Sequence, residues 1–205
     1  MKIYDITQEL FGCRIYPGDP APKREVLSSM DEGALYNLTA LSLCAHNGTH
    51  LDAPSHFLKE GDSIDKLPLE KTVGRCFVAS CAGILSGEDA AEILRKAERA
   101  LQERPKRLLL KGETEVSLDA ARVFASFGLS LLGNESQTVG PQDSPMAVHL
   151  SLLSAGTLLL EGVVLEAVPE GVYFLSAAPL LLGGAEGAPV RAYLIEEYRD
   201  NEITR

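Results

Sequence analysis

Apolar positions along the chain follow two periods. Short runs rich in Leu or β-branched residues at 3–6, 37–45, 76–80, 107–110, 129–132, 157–165, 171–175 and 191–195 predict strands. Between them, Ala90, Ile93, Leu94, Ala97 and Leu101 recur at the 3.6-residue spacing of one helix face and predict a helix over 88–103. Ser86, three residues before Asp89, offers a capping-box start, and Pro105 bars continuation. A second helix is predicted over 118–127, between Ser117 as N-cap and Gly128 as a left-handed stop. A third, over 146–155, would end at Gly156.

The order strand, helix, strand across 107–132 predicts a crossover joining a parallel pair. Residues 133–145 form a long polar loop, a length that inside a compact domain is usually functional or disordered. No repeat, low-complexity tract or change of composition divides the chain. The expectation is one α/β domain over 1–205 in which strands outnumber helices.

Composition narrows the function classes. The 205 residues are 45% hydrophobic, and a chain of this length buries roughly 70% of its unfolded surface without needing disulfides or a structural metal. Nineteen Lys and Arg against 29 Asp and Glu leave a net charge of −10, the wrong sign for neutralising phosphates, so no nucleic-acid partner is expected. No apolar run of about 18 residues occurs, so no membrane-spanning helix is expected either. Acidic residues among the first ten replace the apolar stretch of a secretory signal, which predicts a cytoplasmic protein. The four cysteines, Cys13, Cys44, Cys76 and Cys81, contain no C-x-x-C pair and read as free thiols.

Chemistry concentrates at 44–57, where three of the four histidines fall within eleven positions. His46, His50 and Asp52 offer two imidazoles and a carboxylate, a set suited to zinc, manganese or iron with coordination positions left open. His46 and His50 are four apart, yet Asn47-Gly48 and Pro54 argue against a regular helix. A turn there, followed by an extended 49–53, puts His50 and Asp52 on one side and folds His46 back toward them. A closed structural zinc site would draw on cysteine, which this run lacks as a ligand set.

His149, on the third predicted helix, precedes Glu161 by twelve residues. A reversal at Gly156 would bring both to one cavity, either as ligands of a second metal bridged by Asp52 or as partners of the first metal's ligands. Taken alone, each is more often an ordinary hydrogen-bonded residue. The cluster of His46, His50, Asp52 and His56 is harder to read that way, because four such side chains sit beside two turn signals.

The run from His46 through His50, Asp52, Pro54 and His56 to Phe57 resembles the H-x-G-T-H-x-D-x-P-x-H-F signature of the cyclase-like metal-dependent hydrolases. That family includes bacterial kynurenine formamidase and isatin hydrolase. Asp5-Ile6-Thr7, Tyr16-Pro17-Gly18-Asp19-Pro20, His149 with Leu152-Leu153 and Glu161, and Gly187-Ala188-Pro189-Val190-Arg191-Ala192 resemble further blocks in family order. The likeness spans nearly the whole chain. Tyr16 stands where formamidases often carry Trp, and Gly133-Asn134-Glu135 replaces a Gly-x-Asp pattern.

The resemblance implies a single-domain swivelling β/α/β fold, with a mixed sheet flanked by helices, assembled as a homodimer or homotetramer. It implies His46, His50 and Asp52 as metal ligands, His149 and Glu161 as distal ligands in two-metal members, and His56 as catalytic acid/base. The cofactor is then a divalent metal, Zn or Mn, one or two per subunit. Tyr16, Asp19, Glu135, Ser136 and Gln137 are candidate substrate contacts.

The expected activity is hydrolysis of a small-molecule amide C–N bond, an arylformamide or cyclic amide. Bound Zn²⁺ can bring the pKa of water from 15.7 to about 7, and His56, with an ordinary pKa of about 6.5, would move the proton. Opening of a lactone or ester would use the same site, and a non-catalytic metal-binding protein is the alternative from another class. Cys44 either lines the pocket or is a small buried residue. Arg191 either meets a substrate carboxylate or forms a surface or subunit-contact ion pair.

Overall fold

Alternation within single strands divides the interior into two layers. In β7 (Arg107–Lys111), Leu108 and Leu110 pack to one side and Leu109 to the other, and all three are fully buried. Burying one such side chain contributes about 1.5–3 kcal/mol, so period-2 apolar runs covered on both faces hold the centre of the sheet. The structure is a computed structural model and describes residues 1–196.

The main sheet has nine strands. From one edge they are β1 (Lys2–Asp5), β13 (Tyr193–Glu196), β11 (Gly171–Ser176), β5 (Val73–Ser80), β7, β9 (Leu131–Asn134), β10 (Leu158–Glu161), β4 (His50–Asp52) and β12 (Gly187–Pro189). Strands β5, β7, β9 and β10 run parallel, and the flanking strands add antiparallel on both sides. Two small pairs stand apart: β2 (Lys23–Ser28) with β3 (Leu38–Ser42), and β6 (Gly83–Leu85) with β8 (Thr114–Val116).

Three helices cover one face: α1 (Gly87–Leu101), α2 (Leu118–Phe127) and α3 (Met146–Ser154). The Ser86 hydroxyl accepts from the Asp89 N–H, and the Asp89 carboxylate accepts from the Ser86 N–H, which completes the expected capping box. The helix stops two residues before the expected end because Gln102 turns into the left-handed region at φ 57°. Ser117 and Gly128 bound α2 as expected, and Gly156, at φ 80°, follows the end of α3.

The mixed sheet and its covering helices match the α/β class read from the sequence. The parallel crossover expected over 107–132 is the β7–β9 pair. One strand sits differently. The run at 37–45 is β3, which pairs only with β2 in a hairpin outside the main sheet, leaving Val26, Leu27, Leu38 and Leu41 exposed. Its apolar pattern signals an extended segment, but no described part of the chain covers it. No helix among the described residues is long and apolar enough to cross a membrane.

Parity along the strands then positions the polar residues. Leu158 and Leu160 of β10 belong to the cluster on the face away from the helices, and Leu159 to the helix side. Glu161, next in the alternation, projects to the helix side. Leu51 of β4 lies in the far cluster, so His50 and Asp52 share the face of Glu161.

Candidate metal centre

The site forms at the carboxyl ends of parallel strands β9 and β10, where ligands bind in open α/β sheets. In the antiparallel β4–β10 register, His50 stands opposite Glu161 and Asp52 opposite Leu159. Gly48, at φ 63°, lets the chain reverse between His46 and His50. The two rings meet edge to face with centroids 5.0 Å apart. On the other side of β4, Gly187 of β12 faces Asp52, and a Cβ there would lie 2.9 Å from His46 Cε1 and 3.0 Å from the Leu51 carbonyl oxygen. Glycine at 187 leaves room for the His46 ring.

Two triads share one carboxylate. Ligand atoms of His46, His50 and Asp52 lie within 4.8 Å of one another, as do those of Asp52, His149 and Glu161. His46 Nδ1 is 2.9 Å from Asp52 Oδ1, and His50 Nε2 is 3.5 Å from both Asp52 Oδ1 and Glu161 Oε2. His149 Nε2 is 3.2 Å from Glu161 Oε1 and 3.6 Å from Asp52 Oδ2. His50 Nδ1 lies 2.9 Å from the Gly48 carbonyl and His149 Nδ1 3.0 Å from the Pro145 carbonyl. Carbonyls only accept, so each Nδ1 carries a hydrogen, and each Nε2 faces the carboxylates, donating to them when protonated and offering its lone pair to a cation when neutral.

The donor set fits a divalent metal. Asp52 Oδ2 and His46 Nε2 are buried with no hydrogen-bond partner, an arrangement costly for a polar atom that nothing binds. Burial alone would raise the Asp52 carboxyl, but the His46 hydrogen bond and the His50 and His46 charges hold it well below the usual carboxylate range. Burial would lower His50 and His149, yet the Glu161 hydrogen bond and the Glu161 and Asp52 charges raise both above ordinary imidazole values. His46 is also raised, with Asp52 outweighing burial. A cation at this point would satisfy the same carboxylates.

His56 differs from the other three. It ends a short 3₁₀ turn (Pro54–His56), and its ring lies tilted 4.1 Å over His46 and meets Phe57 edge to face at 4.4 Å, centroid to centroid. Burial, together with the neighbouring His46 and His149 rings, pushes His56 below the usual imidazole range, toward the neutral form that accepts a proton. Gly61 supports this turn from behind: a Cβ there would come within 2.6 Å of the Pro54 carbonyl carbon and 2.7 Å of the Ser55 nitrogen.

The histidines open onto a cavity of about 240 Å³ also lined by Tyr16, Asp19, Phe57, Gln137, Thr138 and Pro145. Tyr16 donates its hydroxyl to the Gln142 carbonyl. Gln137 donates to the Gly48 carbonyl and accepts from Gln8 Nε2, which ties the loop after β9 to the histidine turn.

Glu135, expected as a substrate contact, is placed elsewhere. Its carboxylate accepts the N–H groups of Gly112 and Leu165 and borders, with Ser136, a separate cavity of about 650 Å³ that contains no histidine. Two backbone N–H groups distant in sequence occupy it. Arg191 pairs with Asp5 on the surface at 2.6 Å, and Cys44 is partly buried and does not line the cavity. Sequence reasoning missed Thr138, Gly187 and Glu186, whose carboxylate lies 3.4 Å from His46 Nε2. Only the Gly-Ala-Pro block hinted at the last two.

A layered α/β fold with imidazoles and carboxylates gathered at its strand ends defines a metal-dependent hydrolase class of centre. The sequence model of the Cyclase family matches residues 4–139, and the chain belongs to that family. It is 32% identical over 203 residues to the kynurenine formamidase of Erythrobacter litoralis, covering 95% of this chain and 94% of that one. It is 33% identical over 208 residues to the kynurenine formamidase of Salinibacter ruber, covering 95% and 97%. A solved structure described as a predicted metal-dependent hydrolase from Bacillus stearothermophilus superposes with a TM-score of 0.77 at 28% identity, covering 94% and 97%. Isatin hydrolase A from Labrenzia aggregata shares the fold, with a TM-score of 0.81 at 24% identity over 96% and 94%.

Proposed function

We propose that this chain hydrolyses the C–N bond of a small arylformamide or cyclic amide. The observation that carries the reading is the pair of triads joined at Asp52 with His56 stacked beside them. In this reading His46, His50 and Asp52 hold a divalent metal, with His149 and Glu161 completing its surroundings or holding a second ion. Zn²⁺ and Mn²⁺ both suit the mixed imidazole and carboxylate donors. When bound, such an ion polarises the amide carbonyl and makes water acidic enough to attack at neutral pH.

His56 then acts on protons. Its neutral imidazole nitrogen accepts one from the attacking water and returns it to the leaving nitrogen, a role typically contributing about 10²- to 10⁴-fold. Phe57 and Tyr16, both lining the cavity, offer aromatic surface suited to a flat aryl group, while Asp19 and Gln137 supply polar boundary. The names of the two curated relatives favour arylformamides over other amides. The exposed apolar hairpin of β2 and β3, with Leu35 95% and Tyr36 60% exposed, favours a homodimer or homotetramer built through that surface.

The test is the initial rate on N-formylkynurenine for protein loaded with Zn²⁺ or Mn²⁺, against chelator-stripped protein. A metal-dependent rate is expected, and His56→Ala should lose it while metal stays bound. Loss of metal in that variant would make His56 a ligand. No rate with metal bound would turn the reading toward lactams and lactones.

A further inference from the structure

The loop between β9 and α3 is pinned at successive positions. The Ser136 carbonyl accepts from the Gly162 N–H at 2.7 Å, and Gln137 binds Gly48 and Gln8. The Thr138 carbonyl accepts from Asn134 Nδ2 at 3.0 Å. The Val139 N–H donates to Glu161 Oε1 at 2.7 Å, and its carbonyl accepts from the Val116 N–H at 3.0 Å. Such a loop cannot swing a side chain away without breaking several bonds.

Thr138 lines the histidine cavity, is only 5% exposed, and its hydroxyl is buried without a hydrogen-bond partner. Several other donors on that wall are committed: Tyr16 to Gln142, one N–H of the Gln137 amide to Gly48, and the Nδ1 hydrogens of His50 and His149 to carbonyls. Burying a hydroxyl unpaired costs about 1–3 kcal/mol, so an uncommitted donor on a residue lining the histidine cavity marks a place for a ligand atom.

We infer that the Thr138 hydroxyl donates a hydrogen bond to the carbonyl oxygen of the bound amide. The inference rests on the amide-hydrolase reading and adds to it a residue that touches the reacting group. Thr138 would meet the carbonyl from the protein side, where negative charge grows as water adds, and the pinned backbone on either side holds its position before the reaction begins. The neighbouring Asn134 Oδ1, also unpaired and buried, supplies the rival account, in which a trapped water joins the two groups and the hydroxyl serves only the loop.

Thr138→Val keeps the shape of the side chain and removes the donor, and Thr138→Ser keeps the donor. With formanilide as probe, kcat/KM of metal-loaded Thr138→Val is expected to fall about 10- to 100-fold while Thr138→Ser stays within a few-fold of wild type. Metal content should match wild type in both, and the Tm of Thr138→Val should not fall below wild type, since the hydroxyl it removes was unpaired. Calorimetric titration of formanilide into chelator-stripped protein supplies a readout free of turnover, and Thr138→Val should bind at least about fivefold more weakly.

Unchanged kcat/KM and binding in Thr138→Val would overturn the inference and leave amide hydrolysis standing. A fall in Tm or metal content that accounts for the lost rate would overturn it in favour of the water-bridged loop. Weaker binding by the variant, with no turnover by any form, would uphold the hydroxyl contact and sink the hydrolase reading. A wild-type protein that neither binds nor hydrolyses the probe would sink both.

Discussion

Under the helices, the two ends of one sheet face are built on opposite terms. Where α1 and α2 cover β5 and β7, the interior is hydrocarbon: Ala90, Leu94 and Ala97 meet Leu108, Leu110 and Phe124. Where α3 reaches over the ends of β9, β10 and β4, the interior holds His50, Asp52, His149 and Glu161, all buried. The first region satisfies itself, since apolar atoms ask only for neighbours. The second leaves Asp52 Oδ2 and His46 Nε2 without hydrogen bonds, so its stability is tied to what binds there.

The largest expected effect removes the residue that belongs to both triads. Asp52→Asn keeps the shape but withdraws the shared negative charge, leaving three imidazoles around Glu161. Bound metal measured by elemental analysis should drop to background, and hydrolytic rate with it. Retention of a full metal complement in this variant would mean that the centre is organised without Asp52.

Next comes the hydrocarbon end. Leu108→Ala deletes a fully buried side chain and should cost about 2–5 kcal/mol by denaturant titration, with metal content per folded molecule unchanged. Stripping metal from the wild type should do the reverse. At a free metal concentration 100 times Kd the bound ion stabilises by about 2.7 kcal/mol, or roughly 5–10 °C in Tm for a chain of this size. A Tm indifferent to chelator would break the contrast between the two ends.

How much of this was legible in the sequence follows the same division. The hydrocarbon end could be read because helix period, Ser86 and Ser117 caps and the Gly128 stop are all local signals. His46, His50, Asp52 and His56 were legible because one turn and one short strand bring them together. His149 and Glu161 were legible because a single reversal at Gly156 joins their elements.

What escaped depends on distant pairing. The β4–β12 register that places Gly187 against His46 joins segments more than 130 residues apart, and the block around 187 does not say which strand it meets. The hydroxyl of Thr138 looks like ordinary loop polarity until Glu161 and Asn134 fix its neighbours. Glu135 looked like a pocket residue for the same reason, whereas two backbone N–H groups already hold it. The exposed β3 shows that an apolar period predicts extension and not which molecule supplies the cover.

Gly187→Ala sharpens the comparison at smaller cost. The added methyl would press on His46 Cε1 from the far side of β4 and shift the ring from Asp52, with the hydrocarbon end untouched. Metal affinity should weaken about 10- to 100-fold, as when partners of metal ligands are lost, while the metal-free Tm moves little. Wild-type metal affinity in this variant would show that His46 has slack the packing does not suggest.

The smallest effect belongs to the helix that touches no ligand. Ser86→Ala removes the hydroxyl that accepts from Asp89 and leaves one N–H of the first turn of α1 to water, which should cost about 1 kcal/mol. Because α1 packs mainly on α2 and β5, away from the strands that carry the triads, that loss should lower Tm equally with and without metal. Urea titrations of both forms read the difference directly. A cap mutation that weakened metal binding would mean that the two ends of the sheet are mechanically one, with strain in the hydrocarbon layer passing through β7 and β9 into the spacing of Asp52 and Glu161.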